Sequence, residues 1–417
     1  MKVLLIGSGG REHALAQGLL RDPQLEELHV APGNPGIASI ATCHPIVIED
    51  HAAVVLLAQT LDIDLVVVGP EKPLVDGLAD RLRKAKFAVF GPSAVAAQLE
   101  GSKDFAKQVM HDAGVPTSRS FTCTTRVEVE SALDTFGAPY VVKHDGLAAG
   151  KGVVVTDDRN EALAHAELSP RVVIEEYLDG PEISLFGISD GKRILAMQPA
   201  QDFKRIFDGD LGPNTGGMGA YSPLPWAPHD IVQQTLIQVL QPTIAEMKAR
   251  DTPFIGLLYA GLALTKKGIR VIEFNARFGD PETQVLLPRL KTPLATLLYS
   301  AAIGNLKDAP ALDWSEDAAV TVVLASEGYP DAPKIGEPIT GVTSVEGVTV
   351  FHAGTTMKDG LLHSAGGRVL AVTGIGTTLV AARAKAYQAI AAIGLRGSQY
   401  RTDIALAAST PPKVGEN

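Results

Sequence analysis

The chain has 417 residues, of which 46% are hydrophobic, 20% charged and 5% aromatic, so its composition is globular and its length exceeds what one hydrophobic core usually supports. A formal net charge of -10 argues against a general nucleic-acid binder, because contact with phosphates needs a clustered basic surface. No apolar stretch approaches the roughly 18 residues that a membrane span needs, so we expect no membrane segment and a cytoplasmic location.

The first hundred residues alternate short apolar runs with helical patterns, and glycine- or proline-rich turns follow the runs. This βαβ rhythm is typical of a doubly wound parallel sheet, whose ligands collect at the carboxyl ends of the strands. We therefore predict a Rossmann-like N-terminal domain over residues 1–100, with strands at 3–6, 28–31, 65–68 and 88–90.

A glycine loop, Gly7-Ser8-Gly9-Gly10-Arg11, stands between the first predicted strand and a helical pattern. Glycines there let backbone N–H groups approach an anion at the helix N-terminus, and Arg11 adds a fixed cation. A dinucleotide fingerprint needs a third glycine where Glu12 stands, which disfavours a nicotinamide cofactor. We predict a phosphate or carboxylate site at Gly9, Gly10 and Arg11; the alternative is a tight turn with Arg11 paired on the surface.

A second glycine-rich segment, residues 145–152, lies between an apolar strand that ends in Lys143 and another strand at 153–156. A loop of small residues between two strands can fold over a polyphosphate. It is not a Walker loop, since neither Gly101-Ser102-Lys103 nor residues 150–152 have the required order and strand-to-helix context. The alternative for Lys143 is a solvated surface lysine.

Two acidic segments end apolar strands further along the chain. The strand before Glu175 and Glu176 leads through a bend to Glu182. The alternative for these three acids is that they are solvated groups at the end of a strand. Residues 271–277 predict a strand with Glu273, Asn275 and Arg277 on one face. Carboxylate and amide oxygens suit Mg²⁺, and an arginine beside them can neutralise a transferring phosphoryl group. A solvated edge strand is the alternative.

These motifs resemble the ATP-grasp superfamily, in which a strand lysine such as Lys143, a flap such as 146–152 and a helical lysine such as Lys103 hold ATP phosphates. The resemblance implies an α/β multidomain fold: an ATP-grasp core at 101–295 with a small inserted subdomain at about 118–188, and a strand-rich C-terminal domain at 315–417. The implied ATP ligands are Lys103, Lys143, Gly146, Gly150, Gly152, Glu175, Glu176, Leu178 and Glu182.

Within that superfamily the chain resembles the glycinamide ribonucleotide synthetase family. Residues 212–223, Gly-Pro-Asn-Thr-Gly-Gly-Met-Gly-Ala-Tyr-Ser-Pro, and residues 273–284 carry the resemblance, which covers residues 1 to about 290 and is looser beyond. It implies that glycine and 5-phosphoribosylamine are joined through a glycyl phosphate intermediate, with ATP as co-substrate and Mg²⁺ or Mn²⁺ as metal, in purine biosynthesis.

The same resemblance implies the remaining site residues. The metal ligands are Glu273 and Asn275. The catalytic residues are Lys143, Arg277, and Asp202 or Glu282 as a base. The substrate-binding residues are Gly9, Gly10, Arg11, Asn34, Gly36, Glu71, Asn214, Thr215, Gly216, Gly217, Met218 and Asp280.

Two positions depart from the family pattern: Phe203 stands where a histidine is expected, and His144 where a small residue is usual. Two other functions stay open at this point, another ATP-grasp carboxylate–amine ligase and a nucleotide-binding protein without ligase activity. We expect a monomer without nucleic-acid or membrane partners. The lability of phosphoribosylamine would favour transient contact with the upstream amidotransferase, although no residue argues for it.

Overall fold

The computed structural model describes residues 1–148, 152–309, 311–342 and 345–410. Within these ranges, the chain forms four sheets of four or five strands and three two-stranded ribbons. One apolar core continues from the N-terminal sheet through the middle of the chain to the C-terminal sheet, and includes Leu4, Val66, Leu258, Val322 and Val372. In the same ranges no helix combines the length and the apolar character that crossing a bilayer requires.

The first sheet is parallel throughout, with its strands in the order third, second, first, fourth, fifth. The doubly wound N-terminal sheet is therefore confirmed, and its glycine loop follows the carboxyl end of the first strand. The strands are Lys2–Gly7, Glu27–Pro32, Thr42–Cys43, Leu65–Val68 and Ala88–Phe90, and the helices are Gly10–Leu20, Pro35–Ala38, His51–Thr60, Glu71–Val75 and Leu78–Lys84.

The small subdomain is a four-stranded antiparallel sheet covered by two helices. Its strands, in spatial order, are Ser120–Cys123, Val172–Glu175, Tyr140–His144 and Val153–Thr156. Its helices are Arg126–Phe136, which begins at a Thr125/Glu128 capping box, and Arg159–Ala166. The flap connects the strands Tyr140–His144 and Val153–Thr156, as the glycine-rich sequence predicts.

The central sheet is also antiparallel and faces the small subdomain. The strand Glu182–Asp190, which begins within the predicted insert at about 118–188, pairs with Ile255–Thr265 and not with the small sheet. The sheet order is Ile194–Ala196, Glu182–Asp190, Ile255–Thr265, Gly268–Asn275. The accompanying helices are Gln98–Gly101, Lys103–Asp112, Ile231–Thr235, a π-helical turn Leu236–Leu240, and Gln241–Ala249.

The last large sheet combines strands from the middle and the end of the chain. Its order is Gln201–Asp202, Gly219–Ser222, Ala318–Ala325, Arg368–Gly376, Val348–His352, and the helix Leu379–Ala391 packs on it. The paired ribbons are Arg205–Phe207 with Leu211–Asn214, Ile339–Thr340 with Gly394–Leu395, and Thr355–Lys358 with Leu361–Ser364. The remaining helices are Thr283–Leu286, Leu294–Ala302 and Leu406–Ser409, with short 3₁₀ turns at Asp208–Asp210, Leu287–Arg289 and Leu306–Asp308.

Candidate active site

A buried lysine joins the small sheet to the central sheet. Lys143 ends the apolar run of its strand, and its Nζ donates to the carbonyl of Ile272, 2.9 Å away. The same Nζ lies 3.0 Å from Glu175 Oε2. Ile272 directly precedes Glu273, so the flap lysine and the predicted metal strand meet in one cleft.

The Glu175 carboxylate is held by a second lysine that the sequence analysis does not identify. Lys107 Nζ lies 3.3 Å from Glu175 Oε2, which also accepts from the Ser118 hydroxyl at 2.6 Å. Burial alone raises the pKa of Glu175, but Lys143 and Lys107 outweigh it and lower that pKa. Burial lowers the pKa of Lys107 to about 8. Its spacing of four residues from Lys103 on one helix is the signal that would have pointed to it.

The base of the flap is tied to the helix that carries Lys103. Lys103 Nζ donates to the carbonyl of Gly146 at 3.2 Å, and burial lowers the pKa of this lysine. Asp145 accepts from the Ser102 hydroxyl at 3.0 Å and pairs with Arg171 Nε at 3.2 Å. Gly152 lies at the far end of the flap, whereas the predicted phosphate ligand Gly150 lies outside the described residues.

The hinge after the small sheet contains the other predicted ATP ligands. Glu176 pairs with Arg119 at 2.7 Å, and Leu178 lies in the bend that follows. Glu182 begins the central-sheet strand and bonds to Lys204, which also lies 4.0 Å from Asp202 Oδ1. The bend therefore crosses between the two sheets that form the cleft.

The predicted metal strand ends at Asn275, so Arg277 lies two residues beyond it. Arg277 Nη2 lies 2.9 Å from Glu100 Oε1, and its Nε lies 3.4 Å from Glu71 Oε2. Burial lowers the pKa of Arg277, but these carboxylates outweigh it and raise that pKa. Among the described residues, the buried Nε of Arg277 makes no hydrogen bond. The guanidinium is thus held between two carboxylates, and its Nε–H faces that of Glu71.

The N-terminal glycine loop reaches the same cleft through Arg11. Arg11 Nη1 donates to the carbonyl of Phe278 at 3.2 Å and lies 3.8 Å from Glu71 Oε2. Glu71 therefore stands between Arg11 and Arg277. Burial raises the pKa of Glu71, but the two guanidinium groups outweigh it and lower that pKa.

Asn34 and Gly36 support the glycine loop. The Asn34 amide nitrogen donates to the carbonyls of Ser8 and His352, each at 2.8 Å, and its oxygen accepts from the N–H of Ile37 at 2.9 Å. A side chain at Gly36 would overlap the neighbouring histidine rings, because a Cβ there would lie 2.5 Å from His13. The amide of Asn34 thus ties the loop to the C-terminal sheet.

The two candidate bases lie around one serine, another residue that the sequence analysis misses. Ser184 Oγ is 3.1 Å from Glu282 Oε1, 3.5 Å from Asp202 Oδ1 and 2.8 Å from Tyr259 Oη. Burial, together with the charge of Asp202, raises the pKa of Glu282 to about 7. Burial also raises the pKa of Asp202. A carboxyl group whose pKa lies near neutral pH can both accept and release a proton there.

The loop Asn214–Met218 is anchored at both ends. The N–H of Thr215 donates to Lys204 O, and the N–H of Met218 donates to Phe203 O, each at 2.7 Å. Gly217 has a φ of +107°, and a Cβ there would lie 2.5 Å from Pro281. Only glycine fits at that position, which places the loop directly against the Asp280-Pro281 turn.

The two departures from the family pattern have packing roles. Phe203 packs against Tyr221 and lies 4.8 Å beneath the guanidinium of Arg401. His144 stacks on His165, with 4.2 Å between the ring centroids, at the base of the flap. The side chains of Phe203 and His144 are thus accommodated by aromatic and cation–π packing with their neighbours.

A small sheet and a central sheet that face each other across buried lysines and a Glu/Asn strand define an ATP-grasp enzyme. The chain belongs to the phosphoribosylglycinamide synthetase family, as predicted. Three family models match it: the N domain at residues 1–100, the ATP-grasp (A) domain at 101–283 and the C domain at 319–407.

Individual relatives agree with the family models. The phosphoribosylamine–glycine ligase of Streptomyces coelicolor is 61% identical, over 98% of this chain and 100% of that protein. The crystal structure of phosphoribosylamine–glycine ligase from Thermotoga maritima has a TM-score of 0.84 at 34% identity and covers 97% of this chain and 100% of that one. A biotin carboxylase ATP complex from Campylobacter jejuni, with a TM-score of 0.75 at 15% identity and coverage of 99% and 95%, shares the fold alone.

We expect Lys107→Met to weaken ADP binding by about tenfold, because Glu175, a predicted ATP ligand, loses one of the two lysines that hold it, and a charge-assisted contact contributes about 1.5–3 kcal/mol. In the wild type the affinity should also fall between pH 7 and 9, since Lys107 with its pKa of about 8 is charged below that range and neutral above it. Titration calorimetry with ADP measures both effects. Lys248→Met, on an exposed helix face, is the control; equal affinity in the two variants would contradict the prediction.

Proposed function

We propose that this chain joins glycine to 5-phosphoribosylamine with ATP, giving glycinamide ribonucleotide, ADP and phosphate. The observation that carries the proposal is the contact of Lys143 with the carbonyl of Ile272, which brings a phosphate-binding flap against a strand with metal donors. The names of the relatives, phosphoribosylamine–glycine ligase, support the choice of substrates.

In this proposal ATP lies between the two sheets. Lys103 and Lys143 bind its phosphates together with the flap glycines Gly146, Gly150 and Gly152. The hinge residues Glu175, Glu176 and Leu178 line the adenine, and Glu182 accepts from the ribose hydroxyls. The carboxylate of Glu175 holds Lys143 in place, because its Oε2 lies 3.0 Å from Lys143 Nζ.

The donor set at the end of the metal strand fits Mg²⁺ or Mn²⁺. Among the described residues, the Glu273 carboxylate forms no ion pair or hydrogen bond, although the side chain is partly buried. Asn275 Oδ1 lies beside it on the same strand, 3.4 Å from Arg277 Nη2. One carboxylate and one amide leave positions for phosphate oxygens and water, as Mg²⁺ prefers. When bound, such an ion neutralises charge on the phosphate oxygens.

The first chemical step transfers the γ-phosphoryl group to glycine. A carboxylate oxygen of glycine attacks the γ-phosphorus, the bond to the β,γ-bridging oxygen breaks, and ADP leaves, so that glycyl phosphate forms. Lys143 and Arg277 stabilise the negative charge on the transferring group. Arg277 is held beside Asn275 for this role by its ion pairs with Glu71 and Glu100.

The second step forms the amide. The amine of phosphoribosylamine attacks the acyl carbon, the C–N bond forms, and phosphate leaves with the electron pair of the C–O bond. Glu282 or Asp202 accepts the proton that the amine loses. The glycine loop and the loop Asn214–Met218 hold the second substrate. The residues that bind it are Gly9, Gly10, Arg11, Asn34, Gly36, Glu71, Asn214, Thr215, Gly216, Gly217, Met218 and Asp280.

The reaction predicts strict dependence of ADP release on both substrates. We expect release in the complete mixture, with phosphoribosylamine generated from ribose 5-phosphate and ammonia, and a loss of at least about tenfold when glycine is omitted. A coupled ADP assay measures this. Equal release without glycine or without phosphoribosylamine would overturn the ligase assignment, and turnover of another acid in place of glycine would favour a different ATP-grasp ligase.

Glu273→Gln tests the metal ligand separately from turnover. We expect this change to weaken Mn²⁺ binding to the ADP complex by about tenfold or more, because a charged oxygen ligand becomes a neutral one. Electron paramagnetic resonance of free Mn²⁺ measures the affinity, and circular dichroism checks the fold. Glu316→Gln, at an exposed position, is the matched control. Unchanged Mn²⁺ affinity would rule out Glu273 as a ligand.

Glu282→Gln tests the base through the pH profile. With a pKa of about 7, Glu282 is mostly protonated at pH 6 and ionised at pH 8, so wild-type kcat should rise across this range. The variant should lose about a hundredfold in kcat and lose the rise with pH. Glu316→Gln again serves as the control. If the variant keeps the wild-type pH profile, Glu282 is not the base and Asp202 is the remaining candidate.

The monomeric state, the cytoplasmic location and the transient contact with an upstream amidotransferase stay predictions. An acidic chain with a net charge of -10 supports the absence of a nucleic-acid partner.

A further inference from the structure

Two side chains from the C-terminal domain hold one glycine of the loop Asn214–Met218, the proposed substrate loop. Arg368 Nη1 donates to the carbonyl of Gly216, and Tyr329 Oη accepts from the N–H of the same residue at 2.9 Å. Both polar atoms of the Gly216 backbone are therefore bound by residues more than 100 positions away in the chain.

Arg368 also fixes the turn on the other side of that loop. Its Nη1 donates to the carbonyl of Asp280 at 2.8 Å, and its Nη2 lies 3.1 Å from Asp280 Oδ2. The planar guanidinium matches these acceptors in one arrangement, which a lysine cannot reproduce. Arg368 thus sets the position of Gly216 relative to Asp280.

Asp280 in turn faces the N-terminal glycine loop. Its Oδ1 accepts from Gln284 Nε2 at 2.7 Å, and a Cβ built on Gly9 would lie 3.7 Å from Asp280 Oδ2. One guanidinium therefore connects the substrate loop, the Asp280 turn and, through that turn, the glycine loop.

The C-terminal sheet positions both side chains, because Tyr329 lies in the turn that follows its strand Ala318–Ala325. Arg368 is the first residue of the strand Arg368–Gly376, whose neighbour Ala318–Ala325 pairs with Gly219–Ser222, directly after the substrate loop. Gly367 leaves room for the aromatic ring, since a Cβ there would lie 2.3 Å from Tyr329. The carbonyl of Tyr329 is held by Gln399 at 2.8 Å.

We propose that Arg368 and Tyr329 are positioning residues through which the C-terminal domain holds Gly216 and Asp280 in the geometry that binds the phosphoribosyl substrate. Neither residue needs to touch the reacting atoms. This inference rests on the proposed function for the identity of the substrate, but the hydrogen bonds to Gly216 exist independently of it.

The kinetic test uses the reverse reaction, in which glycinamide ribonucleotide replaces the labile amine. Arg368→Gln should raise the KM for glycinamide ribonucleotide by about tenfold or more, because hydrogen bonds of a charged donor are lost. The dissociation constant of ADP should stay within about twofold of the wild type, since the ATP cleft is made by other residues. Arg368→Lys should restore only part of the loss. Arg396→Gln, on the same domain with a side chain 83% exposed, is the control.

Hydrogen exchange tests the same contacts without any substrate. Tyr329→Phe keeps the ring that packs on Gly367 and removes only the oxygen, so exchange in the peptide containing residues 212–218 should accelerate by about fivefold. The rest of the C-terminal sheet should exchange as in the wild type. This variant stays informative even if Arg368→Gln does not fold.

The outcomes separate the two proposals. Faster exchange at 212–218 with no wild-type turnover of glycinamide ribonucleotide would support the positioning contacts and remove the proposed function. A KM and an exchange rate equal to those of Arg396→Gln would overturn the positioning role. So would a loss of ADP affinity equal to the change in KM, or faster exchange throughout the C-terminal sheet, since either indicates a general structural role.

Discussion

A buried ammonium group constrains the geometry of the whole active site. Lys143 is 3% exposed, and a charge in that position is tolerable only if other groups replace its hydration. Glu175, on the next strand of the small sheet, supplies the countercharge, and the carbonyl of Ile272 on the central sheet supplies the third contact. Burying Lys143 therefore requires the small sheet to lie against the strand Gly268–Asn275, and the cleft forms between them.

The second constraint concerns the loop Asn214–Met218, which is held by contacts with more than one domain. The strand after it, Gly219–Ser222, enters the same sheet as Ala318–Ala325 from the C-terminal domain, while its tip lies against the Asp280 turn. A row of alternating charges connects this region to the N-terminal domain: Glu71 pairs with Arg277 on one side and with Arg11 on the other. The site thus lies where three parts of the chain meet, and polar or charged groups from one part bond to groups from another.

Much of the fold could be predicted because burial leaves a local pattern. Apolar runs such as Leu65–Val68 are strands in the parallel sheet, as the sequence analysis predicts. Pairing partners were harder to predict. The strand Glu182–Asp190 follows the small subdomain directly in sequence yet pairs with Ile255–Thr265, because hydrogen-bond partners across a sheet are chosen by register and packing rather than by proximity in the chain.

The sequence by itself determined the residue types on which the prediction of the site depends: a strand-end lysine before a small-residue flap, a carboxylate and an amide two positions apart, and a glycine loop after the first strand. These features are local, so spacing along the chain reveals them. Only the tertiary structure decided that Lys107 shares Glu175, that Ser184 lies between Glu282 and Asp202, and that Arg368 reaches Gly216. Such contacts join distant segments, and they depend on how the sheets pack, which no local pattern records.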